Sequence, residues 1–130
     1  MPNLKNVRIH KDLAQPIEFY KKANVFLFPT RYEGVANVVL EAMASALPII
    51  TTSAAVPHEM ITEKEGIILN HENLLPEKVV DEILKLYNSP ELREKLGNAA
   101  REKALREFQW DKTADDYLKV YNKVIELKSG

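Results

Sequence analysis

The chain has no cysteine, which excludes disulfide staples, thiolate nucleophiles and sulfur-built zinc sites and is compatible with a reducing compartment. It also lacks any apolar run approaching the ~20 residues that a membrane helix requires, and its amino terminus lacks the pattern of a signal peptide. Neither sign of charge dominates: 18 Lys and Arg stand against 19 Asp and Glu, for a net charge of −1. No basic run and no cluster of aromatics among Lys and Arg appears, so a nucleic-acid partner is not expected. His10, His58 and His71 show no metal-ligand spacing, and each is expected to be solvated or hydrogen-bonded. Asp115-Asp116 reads as a solvated helix face, so no metal site is expected. What remains is a chain of 130 residues, 45% hydrophobic, enough for one domain with a real core.

Four short apolar runs bounded by turn residues read as strands: Val7 to His10, the weakest, then Val25 to Phe28, Pro48 to Thr52 and Gly66 to Leu69. Continuous apolar runs imply strands covered on both faces, hence a parallel sheet flanked by helices. Pro16 to Ala23 reads as a helix with proline near its start. Beyond Asn70 the pattern is helical, with three stripes. The first is Val79, Val80, Ile83, Leu84 and Tyr87; the second Leu92, Leu96, Ala99, Ala100 and Ala104; the third Ala114, Tyr117, Leu118, Tyr121, Val124 and Ile125. Pro90 and Asp111 are natural helix starts.

Against this background one charge stands out. Glu41 lies in Val38-Val39-Leu40-Glu41-Ala42-Met43-Ala44, a helical segment expected to be covered on nearly every side. A carboxylate taken out of water needs donors to meet it, and a ligand is one source; donors from a neighbouring loop are another. Upstream, Glu33 occupies the turn-like Thr30-Arg31-Tyr32-Glu33-Gly34, directly after an apolar run. The order is strand, loop carboxylate, helix carboxylate. In open parallel sheets ligands collect outside the carboxyl ends of strands, where helix amides favour anions. Gly34 permits a sharp turn and close backbone approach, and Val35, Ala36 and Asn37 would open the helix with amides facing a phosphate. Glu33 and Glu41, acceptors only when ionised, suit hydroxyl groups. Glu33 could equally cap the helix. Phosphate and polyol together describe a nucleotide sugar.

The segment Glu33 to Ala44 resembles the Glu-x7-Glu signature of retaining GT-B glycosyltransferases, family 4. Asn24 to Thr30, Leu47 to Thr52, Pro57 to Ile61, Glu65 to Leu69 and Phe108-Gln109-Trp110 resemble the family's neighbouring segments in the same order. The resemblance implies that Glu33 contacts donor-sugar hydroxyls and is the catalytic carboxylate. It implies that Glu41 grips the nucleotide ribose, and that Gly34 and the amides of Val35, Ala36 and Asn37 border the sugar or diphosphate. It implies retention, no metal and no cofactor beyond the nucleoside diphosphate sugar itself.

The chain departs from the family in what it lacks. It starts at what resembles the third strand of the carboxy-terminal domain, without the acceptor domain or the Arg/Lys pair that holds the diphosphate. Ala46 replaces a usual glycine after the motif helix, and Ala54-Ala55 replace two near the donor. The expectation is a single truncated nucleotide-sugar-binding domain over residues 1–130, with a Rossmann-like parallel sheet of about four strands and a helical carboxy-terminal portion. It would be the donor-binding part of an enzyme moving a hexose to a glycan or lipid-linked acceptor, cytoplasmic or at the inner membrane surface. Its partners would be the donor, a missing amino-terminal domain or separate chain, and a second copy through an open sheet edge. A noncatalytic assembly module keeping the fold, or part of a nucleotide-sugar epimerase, remain alternatives.

Overall fold

The structure is a computed structural model and describes residues 6–11, 16–30 and 37–129. Three strands, β1 (Phe26–Phe28), β2 (Ile49–Thr52) and β3 (Gly66–Leu69), pair in parallel in the order β1-β2-β3. The register places Phe26 beside Ile49 and Ile49 beside Gly66. Helix α1 (Ile17–Lys22) precedes β1, α2 (Asn37–Ala44) joins β1 to β2, and α3 (Pro76–Asn88), α4 (Pro90–Glu107) and α5 (Trp110–Ser129) follow the sheet. The parallel α/β class expected from the apolar runs is therefore what forms. Val7 to His10 is a correction: among the described residues this segment has no ladder, and Val7 and Ile9 are exposed. Alternating Val and Ile suit a strand, but without a neighbouring strand the backbone groups stay solvated.

Side chains alternate across the sheet and build two apolar layers. On one face Ile49, Phe26, Phe28 and Ile68 meet Val39, Ala42 and Met43 of α2, Tyr20 of α1 and Ala100 and Ala104 of α4. On the other, Ile50, Ile67 and Leu69 meet Ile83 and Leu86 of α3 and Leu92 and Leu96 of α4. Each of the fully buried large aliphatic side chains Ile49, Ile50 and Leu86 contributes about 1.5–3 kcal/mol. Central β2 is buried throughout, and its two threonines bond to the end of β1 and to the segment just after it. The Thr51 hydroxyl donates to the Phe28 carbonyl at 3.0 Å, and that of Thr52 donates to the Thr30 carbonyl. Both bonds hold the backbone that leaves β1 towards α2.

The second predicted stripe is the buried face of α4. The first is rotated: Val79, Ile83 and Leu86 face inward, whereas Val80, Leu84 and Tyr87 are exposed. Leu86, fully buried, was outside the predicted stripe. The third stripe is helical as expected, but Tyr117, Leu118, Tyr121 and Val124 are exposed, because α5 extends away from the two layers.

Helix α2 ends in a left-handed turn at Ala46, with φ of 58°. The Leu47 amide donates to the Ala42 carbonyl at 3.2 Å and the Ala46 amide to that of Met43 at 3.0 Å, the paired bonds of a Schellman motif. Alanine thus takes the conformation for which glycine is the usual choice. At this end α4 crosses so closely that a Cβ on Gly97 would lie 2.1 Å from the Ala46 carbonyl oxygen. Nearby, Glu65 and Lys103 are both buried. The Glu65 Oε2 accepts from the Thr62 amide and hydroxyl, each at 2.8 Å, and lies 3.7 Å from Lys103 Nζ.

Candidate functional site

Because α2 follows β1, its amino terminus lies at the carboxyl edge of the sheet. Residues at 39, 42 and 43 turn into the core; Asn37, Leu40, Glu41 and Ala44 form the opposite stripe. That stripe is one wall of a cleft of about 420 Å³, whose other wall is Phe108, Trp110 and Thr113 from the junction of α4 and α5. The volume falls within the roughly 300–1,000 Å³ of small-molecule pockets.

Glu41 is exposed in this cleft, which corrects the expectation of a charge covered on nearly every side. An apolar segment buries only the face that neighbours cover, and among the described residues α2 packs against the sheet, α4 and α1 while the stripe that carries Glu41 stays open. The carboxylate is nonetheless fixed. Tyr20 Oη of α1 donates to Glu41 Oε2 at 2.9 Å. The Tyr20 ring leans on Phe26, centroids 5.9 Å apart, and Phe26 stacks on Phe28. Burial of the phenol, and then its hydrogen bond to Glu41 and that carboxylate's charge, push the Tyr20 hydroxyl up to about 12. Tyrosine therefore remains a donor throughout the neutral range and occupies one of several acceptor positions of an ionised carboxylate, leaving capacity for ligand hydroxyls.

Of the residues singled out in the sequence, Asn37 and Glu41 come together one turn apart on the cleft wall. Glu33, Gly34, Val35 and Ala36 lie outside the described residues, as does Arg31. Ala55 is buried in the core and Ala54 is half-buried. His71 is hydrogen-bonded, its Nδ1 lying 2.8 Å from Ser53 Oγ, a link between the carboxyl ends of β2 and β3. Sequence reasoning missed Tyr20 as the partner of Glu41 and missed the placement of Phe108 and Trp110 opposite it. The apolar positions of α1 were visible, but nothing in their spacing said which residue they would face.

A parallel sheet with helices on both faces and a cleft beside a strand-to-helix crossover is an α/β architecture in which ligands collect outside the carboxyl ends of the strands. Residues 2–103 match the family model described as glycosyl transferases group 1, and the chain belongs to that family, with its GT-B type of fold. The chain is 32% identical over 126 residues to the capsular polysaccharide biosynthesis glycosyltransferase CapM of Staphylococcus aureus, covering 96% of this chain and 33% of CapM. Among solved structures, a glycosyltransferase from Rickettsia africae superposes with a TM-score of 0.77 at 17% identity, covering 93% of this chain and 32% of that one. The C-terminal domain of a group 1 glycosyl transferase (LpcC) from Francisella tularensis gives 0.69 at 20% identity, with coverage of 80% and 53%. These two likenesses concern the fold. The chain spans about a third of the length of the curated relatives it matches. No helix among the described residues is long and apolar enough to cross a membrane.

Proposed function

We propose that the chain is the nucleotide-sugar-binding part of a retaining glycosyltransferase that moves a hexosyl unit from a nucleoside diphosphate sugar to a glycan or lipid-linked acceptor. The observation that carries this reading is Glu41, a carboxylate oriented by Tyr20 on the wall of a cleft, one turn into the helix that follows β1. Family membership supplies the reaction class. In this reading Glu41 accepts from the ribose hydroxyls, and Glu33 meets the donor sugar next to the bond that breaks. The amides of Val35, Ala36 and Asn37 face the diphosphate, with Gly34 allowing the backbone to approach it. The sugar–phosphate bond breaks, the acceptor oxygen forms the new glycosidic bond, and the acceptor proton leaves with the nucleoside diphosphate. The reading requires no metal.

The acceptor site and further diphosphate contacts belong to the remainder of a longer polypeptide or to another chain. Among the described residues no strand covers the outer edge of β1, where such a remainder, or a second copy, would pair. The test is steady-state kinetics of the full-length protein. Glu41→Gln is expected to raise the donor KM with kcat largely kept, and Glu33→Gln to lower kcat. A Glu41→Gln enzyme matching wild type in both parameters overturns the assignment.

A further inference from the structure

The hydrogen bond between Tyr20 and Glu41 joins a buried group to an exposed one, and its two ends have different needs. The Glu41 carboxylate stands on the open stripe of α2, where water reaches it, so it needs no protein partner to stay solvated. Tyr20 is the buried residue of α1. Its ring leans on Phe26 at 5.9 Å, and Phe26 stacks on Phe28 of the same strand at 5.9 Å. The hydroxyl is thus a fixed donor, held to β1 through aromatic packing, and it meets Glu41 Oε2 at 2.9 Å across 21 positions of sequence.

A glutamate on an open helix face rotates about three bonds, and a ligand that binds it loses affinity by stopping that rotation. The bond from Tyr20 stops it before any ligand arrives. Among the described residues no other donor meets this carboxylate, so Tyr20 takes one acceptor position on Oε2 and leaves Oε1 and the rest of Oε2 for a ligand. The two oxygens of one carboxylate match a neighbouring pair of hydroxyls, such as 2′ and 3′ of ribose, only when the carboxylate is held at one angle. Tyr20 is not among the described residues that line the cleft, so its effect on a ligand passes through Glu41.

We propose that Tyr20 is a positioning residue of the donor site: its hydroxyl fixes the Glu41 carboxylate at the angle that meets a ribose diol, and thereby sets the preference for ribonucleotides over 2′-deoxyribonucleotides. The inference rests on the donor reading of Glu41 given above. A Tyr20 that only supported the fold would behave differently. Loss of its hydroxyl would then weaken α1 against the sheet and lower the affinity for both kinds of nucleotide alike, whereas positioning acts on the hydroxyl pair alone.

The test is therefore a ratio. Calorimetry measures the affinity of the chain for UDP, GDP and ADP and for their 2′-deoxy counterparts, to millimolar concentration. Wild type is expected to prefer the ribonucleotide by about tenfold or more, the worth of one hydrogen bond to a charged acceptor. Glu41→Gln should reduce this preference to about threefold or less. Tyr20→Phe, which keeps the ring against Phe26, should reduce it to about threefold as well while its affinity for the 2′-deoxynucleotide stays within about twofold of wild type. In the double variant the ratio should match that of Glu41→Gln alone, since the hydroxyl then has no carboxylate to position. Thermal melts check the folding of each variant, and a ratio taken on one preparation is insensitive to its folded fraction. A preference lost in Glu41→Gln but kept in full in Tyr20→Phe, with or without an equal weakening of both nucleotides, overturns the positioning role and leaves the donor reading standing. No binding of any nucleoside diphosphate, no preference in wild type, or a preference that survives Glu41→Gln overturns both.

Discussion

Replacing Gly97 by alanine tests the packing that holds α2, and with it Glu41, against the rest of the molecule. Two effects of opposite sign compete. In a solvent-exposed helix interior, Gly→Ala stabilises by about 1 kcal/mol, because alanine restricts the unfolded chain and favours the helix. Here the new Cβ would lie 2.1 Å from the Ala46 carbonyl oxygen and 2.9 Å from its carbon. An ordinary carbon–oxygen contact is about 3.3 Å or more, so α4 and the end of α2 must separate by roughly an ångström. Both atoms are backbone, and Ala46 is held by the Schellman bonds, so no side-chain rotation relieves the contact. Separation also loosens Ala100 and Ala104 against Met43 and Leu47. Overpacking costs about 1–3 kcal/mol and occasionally more. With rigid backbone as the obstacle we take a cost of about 3–4 kcal/mol, which leaves a net loss of about 2–3 kcal/mol after the helix gain. Urea unfolding followed by circular dichroism should show a lower midpoint at unchanged slope, and the melting temperature should fall by about 10 °C. Asn98→Ala, on the exposed side of the same helix, reports propensity alone and should be neutral or slightly stabilising. A Gly97→Ala protein as stable as wild type, or more so, would show that α4 does not cross Ala46 at this distance.

Ala46→Gly relieves a left-handed alanine and should raise stability by about 1 kcal/mol in the same urea assay, with Ser45→Gly as a control that should not. The raised titration of the Tyr20 hydroxyl, from the ordinary 10.0 to about 12, gives a signed pH effect. The folded state holds this proton more tightly than the unfolded state, so the contribution is complete below pH 10 and disappears as pH rises towards 12. Tyr20→Phe should flatten that part of the stability-against-pH curve, and an identical curve for the variant refutes the assignment. For the buried Lys103–Glu65 pair, Lys103→Met should cost about 3–5 kcal/mol by stranding the carboxylate. Adding Glu65→Gln should recover part of that loss, and strict additivity in a double-mutant cycle would show that the two groups do not interact.

The sequence by itself determined the class of fold, because strand and helix periodicities are local. The apolar runs at 26–28, 49–52 and 66–69 are strands, and Leu92, Leu96, Ala100 and Ala104 mark the inward face of α4 because a period of 3.6 leaves little choice. The order strand, loop, helix was legible too, with Asn37 at the helix opening and Glu41 within the helix; that the two side chains share one side of α2 came from the tertiary structure. Tertiary structure decided what covers each face. Periodicity shows which residues share a stripe but not whether a neighbour lies on it. Glu41 is therefore open to a cleft and not enclosed, Leu86 and not Tyr87 turns inward on α3, and the apolar stripe of α5 is exposed. The pairings of Tyr20 with Glu41 and of Glu65 with Lys103 join residues 21 and 38 positions apart, as does the approach of Trp110 to the α2 wall over a longer span. Such contacts depend on how helices cross the sheet, a geometry fixed by packing the whole core and not by any one segment.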